Sequence, residues 1–185
     1  GLFLTPGAGS DRDHPGLVAL QNLLAPLPVE RMDFPYRKAG KPFPDRAPVL
    51  VQAVRDGVAA MAEAHGLDPD RLVLGGRSMG GRMCSMAVAE GLPAAGLILV
   101  CYPLHPPGKR ANLRTGHFGS IHVPCLFVSG DRDEFGTPEE FDTHLPAIAG
   151  PVTVVRLPGK RHDLKGADGI VCDAVEAWMA DTYQT

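Results

Sequence analysis

The stretch Leu72-Val73-Leu74-Gly75-Gly76-Arg77-Ser78-Met79-Gly80-Gly81-Arg82 limits the folds open to this chain more than any other. Apolar and small residues run into a Gly-x-Ser-x-Gly core, and a Met- and Ala-rich helical pattern leaves it. A serine on a sharp strand-to-helix turn takes up a crowded backbone conformation, and this motif is the signature of such a turn. Gly76 and Gly80, two residues either side of Ser78, lack the Cβ atoms that would collide there. The turn lifts the hydroxyl above the sheet, and the helix beginning beneath it offers free N–H groups and a dipole that favours negative charge. A chain built around such a serine must supply a base, an acid and a second donor for an oxyanion.

The remaining sequence alternates strand and helix patterns. Strands are expected at Gly1 to Thr5, Val29 to Phe34, Arg71 to Leu74, Ala95 to Cys101, Pro124 to Ser129 and Val152 to Leu157. Helices are expected at His14 to Leu24, from Val49 to a stop at Gly66, at Met79 to Glu90, at Pro138 to Ile148 and at Ile170 to Met179. The long helix has Leu50, Val54, Val58 and Met61 as its buried stripe, and the last one has Ile170, Val171, Ala174, Val175, Trp178 and Met179. Tyr36 to Pro48, with its charges and prolines, reads as a surface loop, and Tyr102 to Ile121 as irregular chain. Strands separated by helices pair in parallel, with helices on both faces. The expected fold is therefore a three-layer α/β/α sandwich with a mostly parallel sheet, one domain over residues 1–185. The apolar start at Leu2-Phe3-Leu4 suggests that one or two earlier strands are absent from this compact version.

Composition narrows the function. The net charge of −3 gives no bulk field for nucleic acid, and no apolar run reaches the roughly 18 residues of a membrane span. No secretory leader pattern is visible, and Cys84, Cys101, Cys125 and Cys172 form no C-x-x-C pair. Buried, reduced thiols in a cytoplasmic protein are the expectation.

In open parallel sheets, functional groups collect at the carboxyl ends of the strands. The loops there span residues 6–14, 35–47, 75–79, 102–121, 130–137 and 158–165. Gly130-Asp131-Arg132-Asp133 supplies two carboxylates, and Pro158-Gly-Lys-Arg-His162 supplies an imidazole. The order Ser78, Asp, His162 is the chain order of the triad that accompanies a strand–turn–helix serine. Asp133 is the expected acid and Asp131 its alternative; His162 is the base. The oxyanion donors expected are the N–H groups of Met79, directly after the serine, and of Ala8 in the turn Pro6-Gly7-Ala8-Gly9.

Thr5-Pro-Gly-Ala-Gly9, Asp33-Phe-Pro-Tyr36, Gly75-Gly-Arg-Ser-Met-Gly-Gly-Arg82, Tyr102-Pro-Leu-His-Pro-Pro-Gly108 and Gly130-Asp-Arg-Asp-Glu-Phe-Gly136 span nearly the whole chain. Together they resemble the dienelactone-hydrolase-related α/β hydrolases of the KANL3/Tex30-like group. The resemblance implies the α/β-hydrolase fold with the triad placed as above. The group usually has His-Gly where this chain has Pro6-Gly7, so an imidazole that supports the turn is missing. Some relatives of the group act as scaffolds.

Other polar residues are read more plainly. His105, His117 and His122 are expected to be solvated loop histidines, a metal or substrate contact with Asp163 being the alternative; no metal-type spacing is present. His14, His65 and His144 are expected at the surface, and Met79, Met83 and Met86 in the core. Arg37, Lys38, Lys41, Arg77, Lys109, Arg110, Arg114, Lys160 and Arg161 occupy loops at the active edge. Asp45, Asp131, Glu134 and Asp163 share those loops, so the charges are expected to cancel; an anionic ester or thioester is the alternative. The connection of about 20 residues after Cys101 is too short for a helical cap domain, which implies an open site. The sequence reading is thus a serine hydrolase for a small acyl ester or thioester, with no cofactor and no metal. An acyltransferase using the same residues and a non-catalytic scaffold are the alternatives.

Overall fold

The computed structural model describes residues 1–183; Gln184 and Thr185, the end of the expected domain, lie outside the described residues. Six strands form one sheet: β1 (Leu2–Thr5), β2 (Val29–Arg31), β3 (Val73–Arg77), β4 (Gly96–Val100), β5 (Cys125–Gly130) and β6 (Val152–Leu157). Their spatial order is β2-β1-β3-β4-β5-β6, and every pairing is parallel. Six helices connect or follow them: α1 (Pro15–Leu23), α2 (Pro35–Lys38), α3 (Ala47–His65), α4 (Met79–Ala89), α5 (Pro138–His144) and α6 (Asp168–Thr182).

Alternation along the strands divides the core in two. Phe3, Leu74, Leu97, Leu99 and Phe127 face one side, where Val54 and Val58 of α3 and Met83 and Cys84 of α4 cover them. Leu2, Leu4, Ile98, Val100 and Val128 face the other, against Leu17 and Leu20 of α1 and Val171, Val175 and Trp178 of α6. The result is the expected three-layer α/β/α arrangement. Among the described residues no helix is long and apolar enough to cross a membrane.

The strand order reverses at β1 and β3: the chain leaves β1 for β2 on one side and returns to β3 on the other. At such a switch point the loops diverge and a crevice opens at the strand ends. The two backbones close in below that crevice. Thr5 is fully buried at the end of β1, and its hydroxyl donates to the Gly75 carbonyl at 2.9 Å. A Cβ on Gly80 would lie 2.6 Å from the Thr5 carbonyl oxygen and 2.5 Å from that of Pro6, and one on Gly76 would collide with Thr5. The glycines around Ser78 therefore admit the neighbouring strand as well as the turn.

Several elements differ from the sequence expectation. The strand β2 ends at Arg31 rather than Phe34, because Phe34 is the buried residue that precedes α2. That helix lies in the stretch expected to be surface loop, and its Tyr36 is fully buried. Arg71, expected in β3, belongs to a 3₁₀ turn over Pro69–Arg71, and the expected helix at Pro138 to Ile148 changes to a 3₁₀ turn at Leu145–Ala147. Ile170, expected on the buried stripe of α6, is 52% exposed; the covered face runs through Val171, Val175 and Trp178.

Gly80→Ala is predicted to lower Tm by several degrees. Overpacking costs about 1–3 kcal/mol, and for a chain of this size each kcal/mol is about 2–4 °C. Gly116, which has nothing within 4 Å of an added Cβ, is the control. Thermal denaturation followed by circular dichroism checks this, and equal Tm values for the Gly80 and Gly116 variants would contradict the close approach.

Candidate active site

Ser78 sits between β3 and α4 with φ 51° and ψ −117°. A non-glycine residue here is strained by about 1–3 kcal/mol. The surroundings hold it: its N–H donates to the Val100 carbonyl at 2.8 Å, and its own carbonyl accepts from Arg82 N–H at 3.1 Å. One side of Ser78 is thus tied to β4 and the other to the first turn of α4.

The loops after β5 and β6 are stapled to each other. Arg132 N–H donates to the Lys160 carbonyl at 2.9 Å, and Gly159 N–H donates to Asp131 Oδ1 at 2.7 Å. The staple brings Asp133 and His162 together. His162 Nδ1 lies 2.9 and 2.8 Å from the two carboxylate oxygens of Asp133, and His162 Nε2 lies 2.9 Å from Ser78 Oγ. A carboxylate can only accept, so Nδ1 carries the proton and Nε2 is left to accept from the serine hydroxyl. Asp133, not Asp131, faces the imidazole; Asp131 is exposed and serves the loop staple.

Further contacts fix these groups in place. Phe135 N–H donates to Asp133 Oδ1 at 2.8 Å, and the Phe135 ring stacks on the His162 ring with centroids 3.9 Å apart. Arg77 Nη2 donates to the His162 carbonyl at 2.7 Å. Asp133 is 2% exposed, so water competes little for its oxygens. Cys101 Sγ lies within 4.8 Å of ligand atoms of Asp133 and His162, a grouping that could be imagined around a metal ion. Both nitrogens of His162 are already engaged, however, and burial pushes the Cys101 thiol up to about 12. The site's own donor chemistry is that of a proton relay, not a metal cage.

Ala8 and Met79, whose N–H groups are the expected oxyanion donors, line the same cleft of about 680 Å³ as Ser78 and His162. Neither the Ala8 nor the Met79 N–H donates to a protein acceptor among the described residues. Met79 opens α4, where N–H groups have no intrahelical partner. The turn holding Ala8 is braced from α2, where the Tyr36 hydroxyl donates to the Ala8 carbonyl at 2.8 Å. This brace escaped the sequence reading, although Asp33-Phe-Pro-Tyr36 stood out as a motif.

The histidines also correct the sequence reading. His105 is 2% exposed rather than solvated, with Nδ1 2.8 Å from the Pro106 carbonyl and Nε2 3.2 Å from Glu140 Oε2. It ties the loop after β4 to the capping box of α5. His117 Nε2 lies 2.8 Å from Ser85 Oγ on α4; burial, and then the charge of Arg82, lower its pKa from 6.5 to about 4, so it is neutral near pH 7. His14, expected at the surface, lines the cleft and caps α1 through Gly16 N–H at 3.1 Å. Only His122 of the loop histidines is exposed as expected.

A family model described as an alpha/beta hydrolase domain matches residues 1–174, so the chain belongs to the α/β hydrolases. Its fold is similar to several solved structures. Est1E from Butyrivibrio proteoclasticus is 15% identical with a TM-score of 0.72, the match covering 98% of this chain and 87% of Est1E. An alpha-beta serine hydrolase homologue from Coxiella burnetii is 20% identical, with a TM-score of 0.75 and coverage of 95% and 84%. A putative hydrolase of the α/β superfamily from Xanthomonas campestris is 20% identical, with a TM-score of 0.71 and coverage of 97% and 98%. At these identities the likeness bears on the fold.

Tyr36→Phe removes the brace on the Ala8 turn while keeping the buried ring. If the site hydrolyses a simple aryl ester, one hydrogen bond of about 1 kcal/mol predicts a fall in kcat of roughly 3- to 10-fold with KM little changed. Steady-state kinetics on a simple aryl ester check it, and a loss confined to KM would contradict a positioning role.

Proposed function

We propose that the chain is a serine hydrolase that cleaves a small ester or thioester through an acyl-enzyme. The observation that carries the reading is the unbroken hydrogen-bond chain from Ser78 Oγ through His162 to Asp133. Ser78 Oγ attacks the acyl carbonyl carbon as its proton passes to His162 Nε2. The Ala8 and Met79 N–H groups then stabilise the tetrahedral oxyanion, and Asp133 stabilises the imidazolium. Collapse of the intermediate breaks the bond to the leaving oxygen or sulfur, which takes the proton from His162. Water repeats the sequence on the acyl-enzyme, giving the carboxylic acid and restoring the Ser78 hydroxyl. No cofactor takes part.

The competing scaffold reading leaves this arrangement without a purpose. A strained serine, a buried carboxylate and two unengaged N–H groups all cost stability, and function is the common reason for keeping such features together. Four free, buried cysteines support a reducing compartment, the cytoplasm. The motifs shared with the dienelactone-hydrolase-related KANL3/Tex30-like group support placement beside it.

A fluorophosphonate probe is predicted to label the protein at Ser78, and Ser78→Ala to abolish both labelling and esterase activity, with kcat falling by roughly 10⁴-fold or more. Labelling that persists in the variant would show the wrong serine was chosen; a parent protein that never labels would favour the scaffold.

A further inference from the structure

The cleft beside Ser78 carries a charge pattern that acyl transfer does not require. Arg77, Arg82 and Arg114 all line it, whereas Asp45 is its one acidic lining residue. Asp45 already lies 3.7 Å from Lys41. Of the basic loop residues expected to be cancelled, Lys41 alone among the described residues pairs with one of the expected acids, while Arg37 lies 3.7 Å from Asp11 and Arg110 lies 3.3 Å from Glu140. Inside the cleft this cancellation fails. Among the described residues, none of the three arginines forms an ion pair.

Arg82 and Arg114 stand out further. Arg77 spends one guanidinium N–H on the His162 carbonyl, but Arg82 Nε is buried with no hydrogen-bond partner. Arg82 lies in the first turn of α4, where its N–H is bonded to the Ser78 carbonyl at 3.1 Å, and it lines the same cleft as Ser78. Its carbonyl accepts from Ser85 Oγ at 2.8 Å. Arg114 is held through its backbone: its N–H donates to the Leu104 carbonyl at 2.8 Å, and its carbonyl accepts from the buried Tyr102 hydroxyl at 2.7 Å. Burial, and next the charge of Arg82, lower the pKa of the Arg114 guanidinium. Two half-buried like charges, backbone-fixed and without counter-ions, raise the energy of the free protein. An anion placed between them relieves both the repulsion and the unmet donors.

We infer that Arg82 and Arg114 form a subsite for an anionic oxyacid group, a carboxylate or phosphate, on the substrate whose acyl carbon Ser78 attacks. The inference rests on the hydrolase reading for the position of the scissile bond. Arg82 and Ser78 line one cleft and are joined through the first turn of α4, which suits a short spacer; an ester or thioester of a short dicarboxylic acid fits, as does a small phosphorylated acyl ester. A guanidinium fork recognises either group by two parallel N–H donors. Long neutral acyl chains would leave the arginines buried against hydrocarbon without a partner.

Three measurements on the parent protein, Arg82→Gln and Arg114→Gln test this. At constant ionic strength, glutarate or inorganic phosphate is expected to raise the parent Tm saturably, with sodium chloride as control, and each substitution to reduce that rise. A rise with glutarate assigns a carboxylate, and a rise with phosphate alone assigns a phosphate. On the rate side, kcat/KM for monomethyl glutarate is expected to exceed that for methyl pentanoate by at least ~10-fold. That ratio should collapse in Arg82→Gln, as expected for loss of a charged hydrogen bond. Fluorophosphonate labelling of Ser78 keeps the two claims separate. If Ser78 labels but neither anion shifts Tm and the two esters react alike, the anion subsite is overturned and the hydrolase stands. If Ser78 never labels, the hydrolase reading fails, and the anion-dependent Tm still decides whether the two arginines bind an oxyacid.

Discussion

The seating of Thr5 in the angle between β3 and α4 governs the site. Its hydroxyl reaches the Gly75 carbonyl, and its backbone comes so close to Gly76 and Gly80 that neither tolerates a side chain. This one contact fixes two things at once. It closes β1 onto β3 at the point where the strand order reverses, and it aims the turn after β1 at the serine on the turn after β3. A Cβ at either glycine would separate the Ala8 N–H from Ser78. The glycines of the motif thus set the distance between Ser78 and the turn that holds Ala8, in addition to relieving the turn itself.

The remaining groups are placed by the same device, with strand ends held at fixed spacing and loops tied to each other. The loops after β5 and β6 are stapled through Arg132, Lys160, Asp131 and Gly159, so Asp133 and His162 meet although 29 residues separate them. Phe135 packs on the imidazole and Arg77 holds its backbone, leaving the ring little freedom. Such support keeps catalytic groups in reacting geometry without reorganisation at the moment of reaction. Of the cleft arginines, Arg77 is held by the His162 carbonyl, whereas Arg82 Nε is buried without a hydrogen-bond partner.

How far all this could be read from sequence depended on whether a residue's local pattern coincided with its role. That Ser78, Asp133 and His162 would meet was legible because each lies in the loop after a strand pattern, and parallel topology gathers strand ends. Asp133 was favoured over Asp131 from its place in the loop alone, whereas the stapling that turns Asp131 to Gly159 acts over long range and left no local pattern. Tyr36 was hidden by its neighbours: prolines and charges made the segment look like exposed loop, while Phe34, just before a helix of only four residues, and Tyr36, within it, pack into the core. His105 looked solvated because a polar residue in an irregular, Pro-rich stretch usually is. Its burial follows from Glu140, whose capping role gave no sign of reaching across to another loop. Arg82 gave no sign of lining the cleft because it sits within a helix rather than in a strand-end loop, although in the first turn after Ser78.

The proposed hydrolysis requires Ser78 to carry the acyl group between two half-reactions. Rapid-quench mixing of the protein with p-nitrophenyl acetate, followed by peptide mass spectrometry, measures this most directly. A burst of about one nitrophenol per chain is expected, with the acetyl group on Ser78 and no burst in Ser78→Ala. Linear release with no adduct, or an acetyl group carried on another residue, would contradict it.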